Sequence, residues 1–109
     1  MHELSLATAV VDACVERAEG ARVTRVRLEI GSLAAVVPDA IRFCFDVCAR
    51  DTPVEGASLE IIEIPGQAIC RNCGALLSLN TLLDTCTCGT TDLEVVAGEE
   101  LRVKEMEVA

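Results

Sequence analysis

Aromatic residues are nearly missing from this chain, which has no tryptophan, no tyrosine and only Phe43 and Phe45. Since 51% of its 109 residues are hydrophobic, the core must be aliphatic. Basic residues are scarce too: nine Lys and Arg face eighteen Asp and Glu, a net charge of −9. Neutralising phosphates requires Lys and Arg, so this balance argues against nucleic acid and polyphosphate partners. It suits cation handling or a basic protein partner. The only histidine is His2, at the very start. No cysteine–histidine pair is available for nucleophilic catalysis, and no glycine-rich phosphate loop is present, so an enzyme reading lacks its machinery. No apolar run approaches the roughly 20 residues of a membrane span. Residues 4–15 are apolar only in stripes, with no basic lead or small-residue cleavage site, so no secretory signal is expected. The length is that of one domain, or of one domain with a small insert.

Cysteine, by contrast, is abundant and odd in number, with seven residues. Free and metal-bound thiols in this pattern lead us to expect a reducing, cytoplasmic setting. Four of them organise the chain: Cys70, Cys73, Cys86 and Cys88, in CRNCGALLSLNTLLDTCTCG. Cys-x-x-Cys lets two thiolates from one tight turn reach the same ion, and zinc takes four such ligands in a tetrahedron at about 2.3 Å. Gly74 and Gly89 follow the two pairs, where a positive φ is often needed. The second pair, Cys86-Thr87-Cys88, is one residue short of the usual pattern, which makes the geometry tighter. A redox dithiol and inert cysteines are the competing readings.

The front of the chain, Met1-His2-Glu3, offers a second metal chemistry. An α-amino group and an imidazole one residue apart can chelate an ion together with the amide nitrogen between them. Such flat nitrogen coordination selects Ni(II) or Cu(II) over zinc. On its own this signal is weak, because a terminal histidine is most often merely solvated.

Leu4, Ala7, Val10, Val11, Cys14, Val15 and Ala18 recur at helical spacing, which predicts an amphipathic helix closed by Gly20. Residues 22–30 alternate as a one-sided strand, with Thr24, Val26, Leu28 and Ile30 on one face and Arg25, Arg27 and Glu29 on the other. Pro38 opens a second helix over residues 38–50. Its residues Ile41, Phe43, Cys44, Phe45, Val47 and Cys48 are expected to form a broad buried face. Cys44 and Cys48, one turn apart, read as core residues rather than ligands. Ala57 to Ile64 forms a second strand, covered on both sides. Short strands are expected beside each cysteine turn, at 67–69, 76–79 and 93–96. LRVKEMEV makes a last strand with an irregularity near Lys104–Glu105, where the apolar face switches. Pro65-Gly66 and Ala97-Gly98 mark two joints. The expected fold is α+β: a small three-stranded sheet with two helices, built from residues 1–65 and 99–109, interrupted by a zinc-ribbon-like insert at 66–98 whose folding depends on its metal.

These features resemble the HypA/HybF family of hydrogenase maturation proteins over the whole chain. The resemblance rests on Met1-His2-Glu3-Leu4-Ser5, Leu28-Glu29-Ile30-Gly31, Pro38-Asp39-Ala40, Phe43-Cys44-Phe45, Gly56 with Leu59-Glu60-Ile61, the cysteine pairs, Leu93-Glu94-Val95 and Leu101-Arg102-Val103. It implies a nickel metallochaperone that helps insert Ni(II) into the large subunit of nickel–iron hydrogenase, alongside a HypB-type GTPase. Some relatives also serve urease. It further implies nickel ligation by the amine of Met1, the imidazole and backbone nitrogen of His2 and the backbone nitrogen of Glu3, with a structural zinc at the four cysteines. Where the family usually has Cys-x-x-Cys at both turns, Cys86-Thr87-Cys88 lacks one residue; Cys88-Gly89 matches the pattern, so Cys86 is the ligand in question. Monomer and homodimer are both left open.

Overall fold

The computed structural model describes residues 3–109. Among them the chain forms, in order, α1 (Glu3–Ala18), β1 (Val23–Gly31), α2 (Pro38–Ala49), β2 (Ser58–Ile64), β3 (Gly66–Cys70), β4 (Leu76–Leu79), β5 (Leu93–Ala97) and β6 (Leu101–Val108). The strands make two three-stranded sheets, β2-β1-β6 and β4-β3-β5. This is the α+β arrangement expected: two helices on a small sheet, with a second sheet carrying the cysteines.

In the first sheet β1 is central, parallel to β2 and antiparallel to β6. A parallel neighbour requires a crossover, and α2 provides it. α1 and α2 pack on one face of this sheet. Val10, Val11, Cys14 and Ala18 of α1 and Ile41, Phe45 and Ala49 of α2 close over Val23, Val26, Leu28 and Ile30 of β1. Among the described residues no helix covers the opposite face, which is a lattice of charge. Arg25 and Arg27 both reach Glu60, and Arg27 also pairs with Glu105. Arg102 Nε donates to Glu29 Oε1 at 2.6 Å.

Two bulges set which residues point inward. Arg27 lies opposite Glu105 and Leu28 opposite Val103, so Lys104 is the extra residue, at the irregularity the sequence predicts. Val23 lies opposite Val108 and Arg25 opposite Glu107, which makes Thr24 a second extra residue. Strict alternation would put Thr24 in the core. The bulge turns Val23 in instead, and Thr24 faces water.

The broad buried face expected of α2 needs correcting. Ile41, Phe45 and Ala49 are buried, whereas Phe43 is 71% exposed and Val47 is also at the surface. Residues 41, 45, 49 and residues 43, 47 form two separate stripes, and the sheet and α1 cover only the first. β2 is likewise half-covered rather than buried on both sides, because Leu59 and Ile61 pack against the core while Ile62 and Ile64 line the charged face.

The two sheets meet where backbone touches backbone. Gly31 N–H donates to the Glu100 carbonyl at 2.7 Å, Ser32 N–H to Ile64 at 2.9 Å and Leu33 N–H to Gly98 at 2.7 Å. A Cβ on Gly98 would sit 2.6 Å from the Gly66 Cα, and one on Gly66 would sit 2.6 Å from the Leu79 carbonyl oxygen and 2.9 Å from Leu33 Cδ1. A Cβ on Gly31 would collide with the Gly98 carbonyl. Only glycine permits this approach, and the Leu33 side chain plugs the remaining gap.

Candidate metal centre

Cys70 ends β3, and the chain turns back at once: Gly74 N–H donates to the Cys70 carbonyl at 2.8 Å, and Cys73 N–H points at Cys70 Sγ at 3.4 Å. A second turn faces it, closed by Gly89 N–H to the Cys86 carbonyl at 2.8 Å and Cys86 N–H to Thr90 at 3.0 Å. Gly74 and Gly89 adopt φ of 75° and 93°, as their places after the cysteine pairs predict. The four sulfurs lie within 4.8 Å of one another. Cys70 Sγ is 3.7 Å from Cys88 Sγ, and Cys73 Sγ is 3.7 Å from Cys86 Sγ.

A tetrahedral zinc with sulfurs at about 2.3 Å has sulfur–sulfur edges of about 3.8 Å, so the donor set fits that ion. Cys86, the ligand in question, reaches the cluster despite the shortened spacing, because its tight turn folds the pair back on itself. Cys70 and Cys86 are buried while Cys73 and Cys88 are exposed, so one side of the cluster faces solvent.

The thiols are not equivalent. Hydrogen bonds from the Thr90 backbone, the Asn72 side chain and neighbouring thiols favour the Cys88 thiolate and bring its pKa down to about 6. At Cys73 the Ala75 backbone also favours the thiolate, but the surrounding sulfurs and desolvation outweigh it and push the thiol up to about 11. Asn72, whose Nδ2 lies 3.6 Å from Cys88 Sγ, is a contributor that cysteine spacing alone does not reveal. The signal available was its position inside Cys-x-x-Cys.

The remaining cysteines stand apart from this centre. Cys14 is fully buried in the core, where desolvation raises its pKa and Arg17 partly opposes the shift. Cys44 and Cys48 are half-buried on α2, and Cys48 Sγ lies 3.3 Å from Thr8 Oγ1. Of the nickel residues inferred from the sequence, Glu3 is the first residue of α1, while Met1 and His2 lie outside the described residues.

Fold and site together define a small α+β protein with a zinc-ribbon-like four-thiol lobe set on a helix-covered sheet. The family model described as "Hydrogenase/urease nickel incorporation, metallochaperone, hypA" matches residues 1–108. Curated relatives include the hydrogenase maturation factor HypA of Trichormus variabilis, 53% identical over 99% of this chain and 96% of the relative. That of Geobacter metallireducens is 51% identical over 99% of both chains. Among solved structures, the solution structure of the Ni metallochaperone HypA from Helicobacter pylori superposes with a TM-score of 0.75 at 24% identity, covering 99% of this chain and 97% of that one, a likeness of fold. The chain belongs to the HypA family. It is thus a metallochaperone maturation factor and not an enzyme.

Proposed function

We propose that this chain carries Ni(II) at its amino terminus and delivers it to the large subunit of nickel–iron hydrogenase during maturation. The Met1 amine, the His2 imidazole and backbone nitrogen, and the Glu3 backbone nitrogen hold the ion in a flat array. The observation that carries this reading is the family match, which begins at Met1 and includes Met-His-Glu. That the curated relatives are named for hydrogenase maturation favours hydrogenase over urease as the recipient.

Nickel is cargo here, and the chemistry has to let it go. Binding displaces protons from the amine and the intervening amides, so affinity falls as pH drops through the range where amine (about 7.7–8.0) and imidazole (about 6.5) protonate. Cys70, Cys73, Cys86 and Cys88 would hold a zinc ion that braces the lobe of residues 66–98. The helical lobe, residues 1–65 and 99–109, carries the nickel site. No nucleotide-binding loop is present, so a partner GTPase of the HypB type supplies any energy for transfer. The cytoplasm is the setting for this work.

His2→Ala should abolish nickel binding while zinc content and fold stay unchanged. Calorimetry and metal analysis on protein with a native, untagged start check this; undiminished Ni(II) stoichiometry in the variant refutes the ligand assignment.

A further inference from the structure

The solvent-facing side of the four-sulfur cluster carries a contact that the zinc assignment does not require. Cys73 and Cys88 are its two exposed cysteines, and Cys88 belongs to the shortened pair. Asn72, inside the other pair, reaches across the cluster, and its Nδ2 donates to Cys88 Sγ at 3.6 Å. Among the described residues it is the only side chain, apart from the cysteines themselves, that bonds to one of these sulfurs. The remaining donors are local main chain: Cys73 N–H at 3.4 Å from Cys70 Sγ, Ala75 at Cys73 and Thr90 at Cys88. The neighbouring Arg71 faces elsewhere and pairs with Asp92, just before β5, at 3.0 Å.

We propose that Asn72 is a positioning residue of the metal centre, holding Cys88 in place as a ligand and damping the reactivity of that open sulfur. This role rests on the zinc reading of the four cysteines. A metal-bound thiolate keeps negative charge, and an N–H donor to a charged acceptor is roughly twice as strong as one between neutral groups. Hydrogen-bond partners of this kind orient a ligand and tune its metal. With a single residue between its sulfurs, Cys86-Thr87-Cys88 has little chain with which to fit both to one tetrahedron. A donor from the facing turn supplies that restraint from outside the pair and ties the two turns together across the ion. The thiolate is also the nucleophilic form of cysteine, and a bond that draws electron density from it makes it slower to attack an electrophile.

The test compares the full wild-type chain with Asn72→Ala, Asn72→Gln and Arg71→Ala, each loaded with Zn(II) or with Co(II) as a spectroscopic substitute. In the cobalt form the sulfur-to-metal charge-transfer band should move to lower energy in Asn72→Ala and return most of the way in Asn72→Gln, which keeps the amide. Zinc affinity of Asn72→Ala, measured by competition with a chromophoric chelator, should fall roughly tenfold. In the zinc form, iodoacetamide labelling read by mass spectrometry should modify Cys88 faster relative to Cys73 than it does in wild type. Arg71→Ala removes the neighbouring ion pair but no bond to sulfur, and should change none of these. One measurement needs no substitution: with NMR-active cadmium bound to the wild type, the Asn72 side-chain amide protons should couple to the metal through the N–H···S bond. An unmoved band with unchanged Cys88 labelling in Asn72→Ala, equal effects of Arg71→Ala, or no coupling between that amide and cadmium would overturn the role of Asn72 and leave the zinc reading standing. Failure of the wild type to take up zinc or cobalt would overturn both.

Discussion

Glu60 shows how much a single side chain organises on the open face of the first sheet. It sits on β2 and accepts from both Arg25 and Arg27 of β1. Its hydrogen bond with Arg25 is the main reason its carboxyl is held below the ordinary value of 4.5. A depressed folded pKa means that the unfolded chain takes up its proton first as pH falls. The stabilisation is therefore complete above about 4.5 and drains away as pH falls through the lower folded value. Glu60→Gln should cost stability at pH 6 and little at pH 3, so urea melts at the two pH values should converge for variant and wild type only in acid. The pair is too exposed, with Glu60 at 40%, for the effect to be large. The sequence announces this residue only as a polar position on a strand. Its two arginines become visible once the parallel register aligns Arg25 with Ser58 and Arg27 with Glu60.

At the scale of elements, α2 separates what periodicity can and cannot decide. Phe43 and Phe45 read alike in the sequence, both aromatic and both in an apolar run. One is 71% exposed and the other 1%. Phe45→Ala should cost about 3–5 kcal/mol, in keeping with a large core truncation. Phe43→Ala should stay within about 0.5 kcal/mol, and parallel denaturant titrations distinguish them. The apolar arc of α2 is wider than the surface that receives it, so composition alone leaves the buried stripe undecided. β1 poses the same problem in miniature. Its alternation is legible, but the bulge at Thr24 comes from pairing with β6, more than 80 residues away in sequence, and reverses the strand's first positions. The bulge at Lys104 was readable because the apolar pattern of β6 itself slips there. Cysteine spacing pointed to the four-sulfur cluster. Whether Cys86 reaches it depended on a turn whose closure is set by backbone hydrogen bonds, which spacing does not encode.

For the molecule as a whole, the radius of gyration of 16.8 Å exceeds the roughly 13 Å expected of a compact chain this long, and the long axis measures 53 Å. The core joins α1, α2 and β1; the second sheet buries little beyond Ala68, Cys70, Leu79 and Cys86. A lobe with so small a core should lean on its metal. Cys73→Ser should therefore release amide protection across residues 67–96 at a lower denaturant concentration than across the helical lobe. Equal protection in both parts would count against that division.

The seam of Gly31, Gly66 and Gly98 bears on how such a body moves. With main chain pressed on main chain and Leu33 wedged beside it, there is no cushion of side chains along which one part can slide past the other. The protein should tumble in water as a single stiff rod, its two ends keeping a constant angle. Any surface that grips the sulfur-bearing tip thereby also aims the opposite end.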